Sequence, residues 1–216
     1  MTNRHLFLVS LLAIVASWGN PHRVISLLWT PSWDAGAISQ YDRIIRQVAA
    51  DKGYDWRLVA AIANTESEFK PDVVSSNGAV GLMQIMPAVA LQFDVDTLDI
   101  TDPYINVELG VDFLDYLFQS FRFPARMPEN DRLSIVLASY NCGLGHVFDA
   151  RRLAVKYGEN HNSWRVVAKY LELKSEPAYY EDEVVQCGEF NDSPQTIRFV
   201  YKVLRNYDNY CQSVAL

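Results

Sequence analysis

The sequence predicts a mainly α fold, a single domain of multiple helices with little β structure, and three observations carry that prediction. Apolar residues recur at helical spacing in segment after segment, capping residues stand where those segments begin, and strand-like alternation is scarce. Hydrophobic residues make up 50% and charged residues 21% of the chain, which supplies one buried core and excludes a disordered polymer. At 216 residues there is room for one domain, or one domain with a tail. Lys and Arg number 19 against 26 Asp and Glu, so the net charge of -7 argues against nucleic acid as a partner.

The chain opens with Arg4 and His5 ahead of an uncharged apolar run from Leu6 to Trp18, and Val15-Ala16-Ser17 offers a small-residue cleavage site. Residues 1–17 read as a secretory signal peptide, with an uncleaved anchor or a buried N-terminal helix as the alternatives. Residues 18–36, with Pro21 and Pro31, read as a tether, and residues 37–216 as the domain. The expected address is the periplasm or cell envelope.

Within the domain, Ser39 can cap a helix to about Lys52, with Ile44, Ile45, Val48 and Ala49 on one stripe and Gly53 after its end. Asp55 caps a second helix carrying Trp56, Val59, Ile62 and Ala63. A polar, glycine-containing stretch runs from Lys70 to Ala79 and leads into Gly81-Leu82-Met83-Gln84-Ile85-Met86-Pro87. Asp102-Pro103 pairs a capping carboxylate with a proline at the first helical position, opening a helix to about Gln119. Asp131 starts the next, which ends at Tyr140-Asn141 where Gly143 and Gly145 break it. Further helices are expected at 146–157, 163–171 and 193–210.

One residue conflicts with this pattern. Val59, Ile62, Ala63 and position 66 fall at i, i+3, i+4 and i+7 on one helix face, and position 66 is glutamate. Glu68 falls on the wet side with Arg57 and Asn64, as a solvated surface charge. A carboxyl on an apolar face is costly to ionise, so its pKa rises, as a general acid requires. The alternative is that Glu66 turns to solvent at the helix end or pairs with an arginine.

Glu66-Ser67-Glu68-Phe69, Ser75-Ser76-Asn77-Gly78-Ala79 and Gly81-Leu82-Met83-Gln84-Ile85-Met86-Pro87 resemble the signature of soluble lytic transglycosylase catalytic domains. Ser139-Tyr140-Asn141-Cys142-Gly143-Leu144-Gly145-His146-Val147 is similar to that family's second block. The continuation Phe148-Asp149-Ala150-Arg151 looks most like the catalytic part of its membrane-bound F-type members.

This resemblance implies a lysozyme-like fold that cleaves the β-1,4 bond between N-acetylmuramic acid and N-acetylglucosamine, leaving a 1,6-anhydro product. It gives Glu66 the role of single acid and base, and places Ser75, Gln84, Met86, Tyr140 and Asn141 along the substrate groove. The amides of Gln84 and Asn141 suit acetamido groups or loop caps. Tyr140 can support charge near Glu66 or fill core. Met83 reads as core and Met86 as the sugar contact, and His146 as a surface residue at a helix start. Asp72, after Pro71, is the nearest second acid, read as a turn residue.

No metal-ligand spacing is visible and the chemistry requires no cofactor; the implied partner is the glycan strand of peptidoglycan, met by a monomer. Of three cysteines, Cys187 and Cys211 are the expected disulfide because both flank the last helix, a closure worth about 3 kcal/mol. Cys142 reads as a small buried hydrophobe. Phe199 stands where the family often has tyrosine, which removes one hydroxyl from the groove. A water-using muramidase of the same fold and a non-catalytic peptidoglycan-binding protein are the competing readings.

Overall fold

Nine α-helices, one 3-10 turn and two isolated β-bridges make up the regular structure of residues 37–213, which the computed structural model describes. The expected signal and tether, residues 1–17 and 18–36, lie outside the described residues. In order the elements are α1 (Asp42–Lys52), α2 (Trp56–Ser67), α3 (Pro87–Gln92), the 3-10 turn (Asp99–Thr101), α4 (Pro103–Ser120), α5 (Glu129–Cys142), α6 (Leu144–Lys156), α7 (Trp164–Leu173), α8 (Pro177–Tyr180) and α9 (Ser193–Ser213).

α2 is the hub. Its stretch Leu58–Ala63 is buried on every side, because Ala60, Ala61 and Ala63 are small enough for neighbours to close in all round. α9 packs against it most extensively and α1 covers another flank. Asn206 donates to Thr65 Oγ1 at 3.2 Å and Tyr207 donates to Asp55 at 2.9 Å, which fixes α9 along α2.

Several helix ends form as the sequence predicts. The Asp55 side chain accepts from the Arg57 amide at 2.9 Å, and Asp102 accepts from the amides of Tyr104 and Ile105 ahead of Pro103. Gly53 closes α1 in the left-handed conformation at φ 75. α1 begins at Asp42, and Ser39 works one turn earlier. Its Oγ accepts from the Tyr41 amide while Asp42 accepts from the Ser39 amide, a reciprocal box.

Other readings are corrected. α5 begins at Glu129, because Asp131 is spent across the molecule, accepting from the Trp164 amide at the start of α7. Gly145 does not break a helix; Gly143 (φ 88) makes the turn and Gly145 lies inside α6, where Cys187 Sγ fills the space a Cβ would need. The expected Cys187–Cys211 disulfide is absent and all three cysteines are free. Between Ser193 and Cys211 runs straight helix, a rise of about 27 Å, while a disulfide needs Cα atoms within about 7 Å. Cys142 is half-buried and not fully enclosed as expected, and desolvation pushes its thiol up to about 12.

His146 is also not the surface residue expected. It stacks on Phe190, with centroids 4.6 Å apart, and its Nδ1 lies 2.9 Å from Lys174 Nζ. Burial and the neighbouring ammonium hold His146 below the usual imidazole range. Lys174 and Asp149 form a fully buried ion pair at 2.7 Å. Asp149 also accepts from the amides of Gln186 and Cys187 and from Arg152. Burial alone would raise the Asp149 pKa, but Lys174 and the two amides outweigh it and hold the carboxyl below its usual range. The pair pins the loop before α9 against α6. Lys174→Met, which strands Asp149, is expected to lower the unfolding free energy by about 3–5 kcal/mol in chemical denaturation. Adding Asp149→Leu to it should restore most of the loss.

Candidate active site

Glu66 occupies the last turn of α2, one residue before the helix ends at Ser67. Its side chain is half-buried, and desolvation lifts its pKa from 4.5 to about 8, with Lys202 on α9 pulling the other way. No hydrogen bond from a described residue favours the charged form. The negative end of the α2 dipole opposes ionisation in the same direction. Glu68, by contrast, is exposed and bridges to Lys70 at 2.7 Å. The periodicity that separates the two acids in the sequence therefore separates them in space.

The segment from Val73 to Met86 folds over the end of α2. Val74 pairs with Val80, and Val80 pairs with Ile85 through two 2.9 Å hydrogen bonds. Side chains from outside the loop hold it in place. Ser67 Oγ donates to Leu82 O at 2.9 Å, and Tyr140 OH donates to Met83 O at 2.9 Å. Asn106, buried in α4, accepts from the Met83 amide at 2.7 Å and donates to Val80 O and Ile100 O. Its amide lies where a Cβ on Gly81 would have to go, and Gly81 itself needs φ +81. Glu68 (φ 54), Phe69 (φ 59) and Gln84 (φ 49) take left-handed backbone without being glycine. Strain of this kind concentrates at functional sites.

Next to this loop lies a pocket of about 270 Å³, lined by Gln84, Ile85, Met86, Val89, Phe113, Tyr140, Asn141, Cys142 and Gly143. Four of the five groove residues expected from the sequence thus line one cavity. Gln84 donates through Nε2 to Val73 O and Gly81 O, both at 3.0 Å, so the amide nitrogen holds the loop and Oε1 is left for a ligand. Asn141 is oriented by Thr196 of α9, whose hydroxyl donates to Oδ1 at 2.9 Å, which leaves Nδ2 as the available donor. Met86 is exposed at the rim, and Met83 is fully buried. Ser75 is not on the lining; its Oγ accepts from the Ala79 amide at 2.9 Å and shapes the turn. Phe199 is buried against the core.

Tyr140 links pocket to carboxyl. Burial, and then the nearby Glu66 charge, push its phenol well above the usual tyrosine range, so it is neutral. Its proton is committed to Met83 O, and its oxygen can accept but not donate toward Glu66. The pocket lining carries no carboxylate. Among the described residues no cluster of three or more His, Cys, Asp or Glu could hold a metal ion. The arrangement offers one proton-holding acid beside a cleft with amide groups.

Three contributors escaped the sequence reading: Asn106, Thr196 and Lys202. Asn106 had a signal, since it lies four residues before Gly110 on one α4 face, and Met83 packs against that glycine.

A mainly helical scaffold, with Glu66 at the end of α2 against the left-handed Val73–Met86 loop, is the arrangement this chain shares with a known class of domains. The chain belongs to the transglycosylase SLT domain family, which it matches over residues 43–163. It is 39% identical over 166 residues to membrane-bound lytic murein transglycosylase F of Maricaulis maris, covering 77% of this chain and 35% of that protein. The namesake from Alcanivorax borkumensis is 35% identical over 170 residues, covering 78% and 34%. This chain thus spans about a third of the length of the curated relatives it matches.

Among solved structures, an inactive mutant of lytic transglycosylase Slt from Pseudomonas aeruginosa superposes with TM-score 0.54 at 23% identity, over 79% of this chain and 24% of that one. The 70-kDa soluble lytic transglycosylase in complex with bulgecin A gives TM-score 0.51 at 25% identity, over 80% and 24%. The lysozyme-like fold expected from the motifs is therefore observed.

The raised pKa of Glu66 carries a stability signature. The native state holds a proton that the unfolded chain releases near pH 4.5, so stability is greatest below that pH and falls until about pH 8. Glu66→Gln removes this slope. Its unfolding free energy relative to wild type should climb from near zero at acid pH to a plateau above pH 8, on the order of 4 kcal/mol. Denaturant titrations across the range measure it.

Proposed function

We propose that the chain is a peptidoglycan lytic transglycosylase that cleaves the β-1,4 bond between N-acetylmuramic acid and N-acetylglucosamine, with Glu66 as both acid and base. The observation that carries this reading is a half-buried carboxyl whose pKa is lifted to about 8, close to Tyr140, which lines a pocket with no carboxylate of its own. In the first step the Glu66 proton passes to the glycosidic oxygen, and the bond from that oxygen to the muramyl C1 breaks. The sugar left behind bears oxocarbenium-like charge, supported by its own acetamido group and by pocket dipoles. In the second step the Glu66 carboxylate takes the proton of the same sugar's 6-hydroxyl, and that oxygen closes on C1. Both reacting atoms belong to one sugar residue, so the attack has a high effective molarity and outpaces water.

Around this centre, Nδ2 of Asn141 and Oε1 of Gln84 are placed to meet acetamido groups, Met86 meets a sugar face at the rim, and Tyr140 holds the loop that folds over the end of α2. Ser75 contributes through the shape of its turn. Lys202, an exposed cation, eases formation of the carboxylate between the steps. We place the protein in the periplasm or cell envelope as a monomer acting on glycan strands, on the cationic and apolar residues at its start and on relatives named as membrane-bound. No described helix is long and apolar enough to cross a membrane.

Digestion of purified sacculi followed by mass spectrometry tests the reaction. Fragments one water lighter than hydrolytic ones are expected; reducing muramic ends in their place would make the protein a muramidase. Glu66→Gln should lower kcat by about 10²–10⁴-fold, the usual worth of a general acid–base group. A first step that needs protonated Glu66 should make kcat/KM fall as the pH rises through about 8.

A further inference from the structure

Aromatic rings continue outward from the pocket beyond the residues the reaction uses. Phe113 lines the cavity beside Tyr140, with ring centroids 5.3 Å apart. One helical turn further along α4, Tyr116 follows at 6.3 Å with its ring only 15° from the plane of Phe113. Phe93, at the end of α3, meets Tyr116 edge-on at 6.2 Å and 88°, so the Tyr116 ring is braced rather than free. Exposure rises along the row. Tyr140 is buried, Phe113 half-buried, and Tyr116 is 40% exposed although its neighbours Leu114 and Leu117 are fully buried. Met86 and Val89 of the α3 segment line the same pocket as Phe113, with Met86 exposed and Val89 half-buried.

We infer that this row is an additional sugar-stacking subsite. Tyr116 presents its ring face to a pyranose of a glycan strand that passes through the Glu66 pocket and out along α4. The occupant follows from continuity, since the row starts at two residues that line the pocket and leads outward from it. The chemistry matches as well. A pyranose has an apolar face of C–H groups that packs on the electron-rich face of an aromatic ring, while its hydroxyls stay in water. Stacking suits an acidic protein and an anionic polymer, because it needs no long-range attraction between them. The consequence for the enzyme is a preference for strands longer than the two sugars flanking the cleaved bond. This inference deepens the proposed function and rests on it for the identity of the strand.

The test uses the full chain with peptidoglycan glycan oligomers graded by length. It compares wild type, Tyr116→Ala and Tyr116→Phe, each checked by thermal melting. Tyr116→Ala should lower kcat/KM on long strands about tenfold, a loss of the size one aromatic contact supplies, and leave the shortest cleaved oligomer unchanged. Tyr116→Phe should behave as wild type, because the ring and not the hydroxyl does the stacking. Equal losses on short and long strands, or no loss on either, would overturn the subsite. A parallel titration of the same oligomers into Glu66→Gln protein, with and without Tyr116→Ala, reads strand binding apart from turnover. If no wild-type cleavage is seen while long strands still lose affinity with Tyr116→Ala, the transglycosylase reading fails and the subsite stands. If strand affinity is indifferent to Tyr116 and sedimentation shows that the alanine disrupts self-association instead, the row is a protein contact and the proposal is wrong.

Discussion

A carboxyl group partly withdrawn from water, with no hydrogen-bond donor offered to its charge, is the constraint around which this domain is organised. Burial costs an ionised glutamate heavily, and proteins usually repay that with an arginine or a cluster of amides. Here neither comes. α2 carries Glu66 at the end of a face built from valine, isoleucine and alanine, and the loop above it turns its carbonyls to Ser67, Asn106 and Tyr140 instead. The hydrogen-bonding capacity near the acid is used to build walls, and the acid itself is left with its proton.

Those walls are tightly specified. The Val73–Met86 segment contains almost no regular structure, yet its backbone groups meet named side chains from α2, α4 and α5. An irregular segment can be as fixed as a strand if its donors and acceptors are all engaged. This explains how Gln84 is held at φ 49 without being glycine: its own amide bonds Val73 O and Gly81 O and closes the turn it sits in. The amide that looks in the sequence like a ligand contact spends its nitrogen on scaffold and keeps its oxygen for the cleft.

What the sequence makes legible follows the range of each interaction. Caps such as Asp55 and Asp102 act within three residues, so their effect is written beside them. The inward aim of Glu66 follows from helix periodicity over seven positions. The helix starts at Ser39 and Asp131 were less readable, because Asp131 is engaged by Trp164, 33 residues away, and a local pattern cannot register that. Asn106, whose bonds to the loop span 23 and 26 residues, looks like one polar interruption of an apolar helix. The expected disulfide failed for a related reason: proximity to both ends of a helix in sequence is distance in space. His146 and Lys174 show the same limit, since a buried cation is invisible until the loop that covers it is folded.

Thr196 has a consequence for when the domain becomes competent. Its hydroxyl orients Asn141 from 55 residues further along the chain, and the Lys202 charge felt by Glu66 comes from the same last helix. Without α9 docked on α2, neither contribution to the site is in place. Seating of the last helix therefore completes the site in one event, aiming the Asn141 amide and bringing the Lys202 charge to Glu66 together.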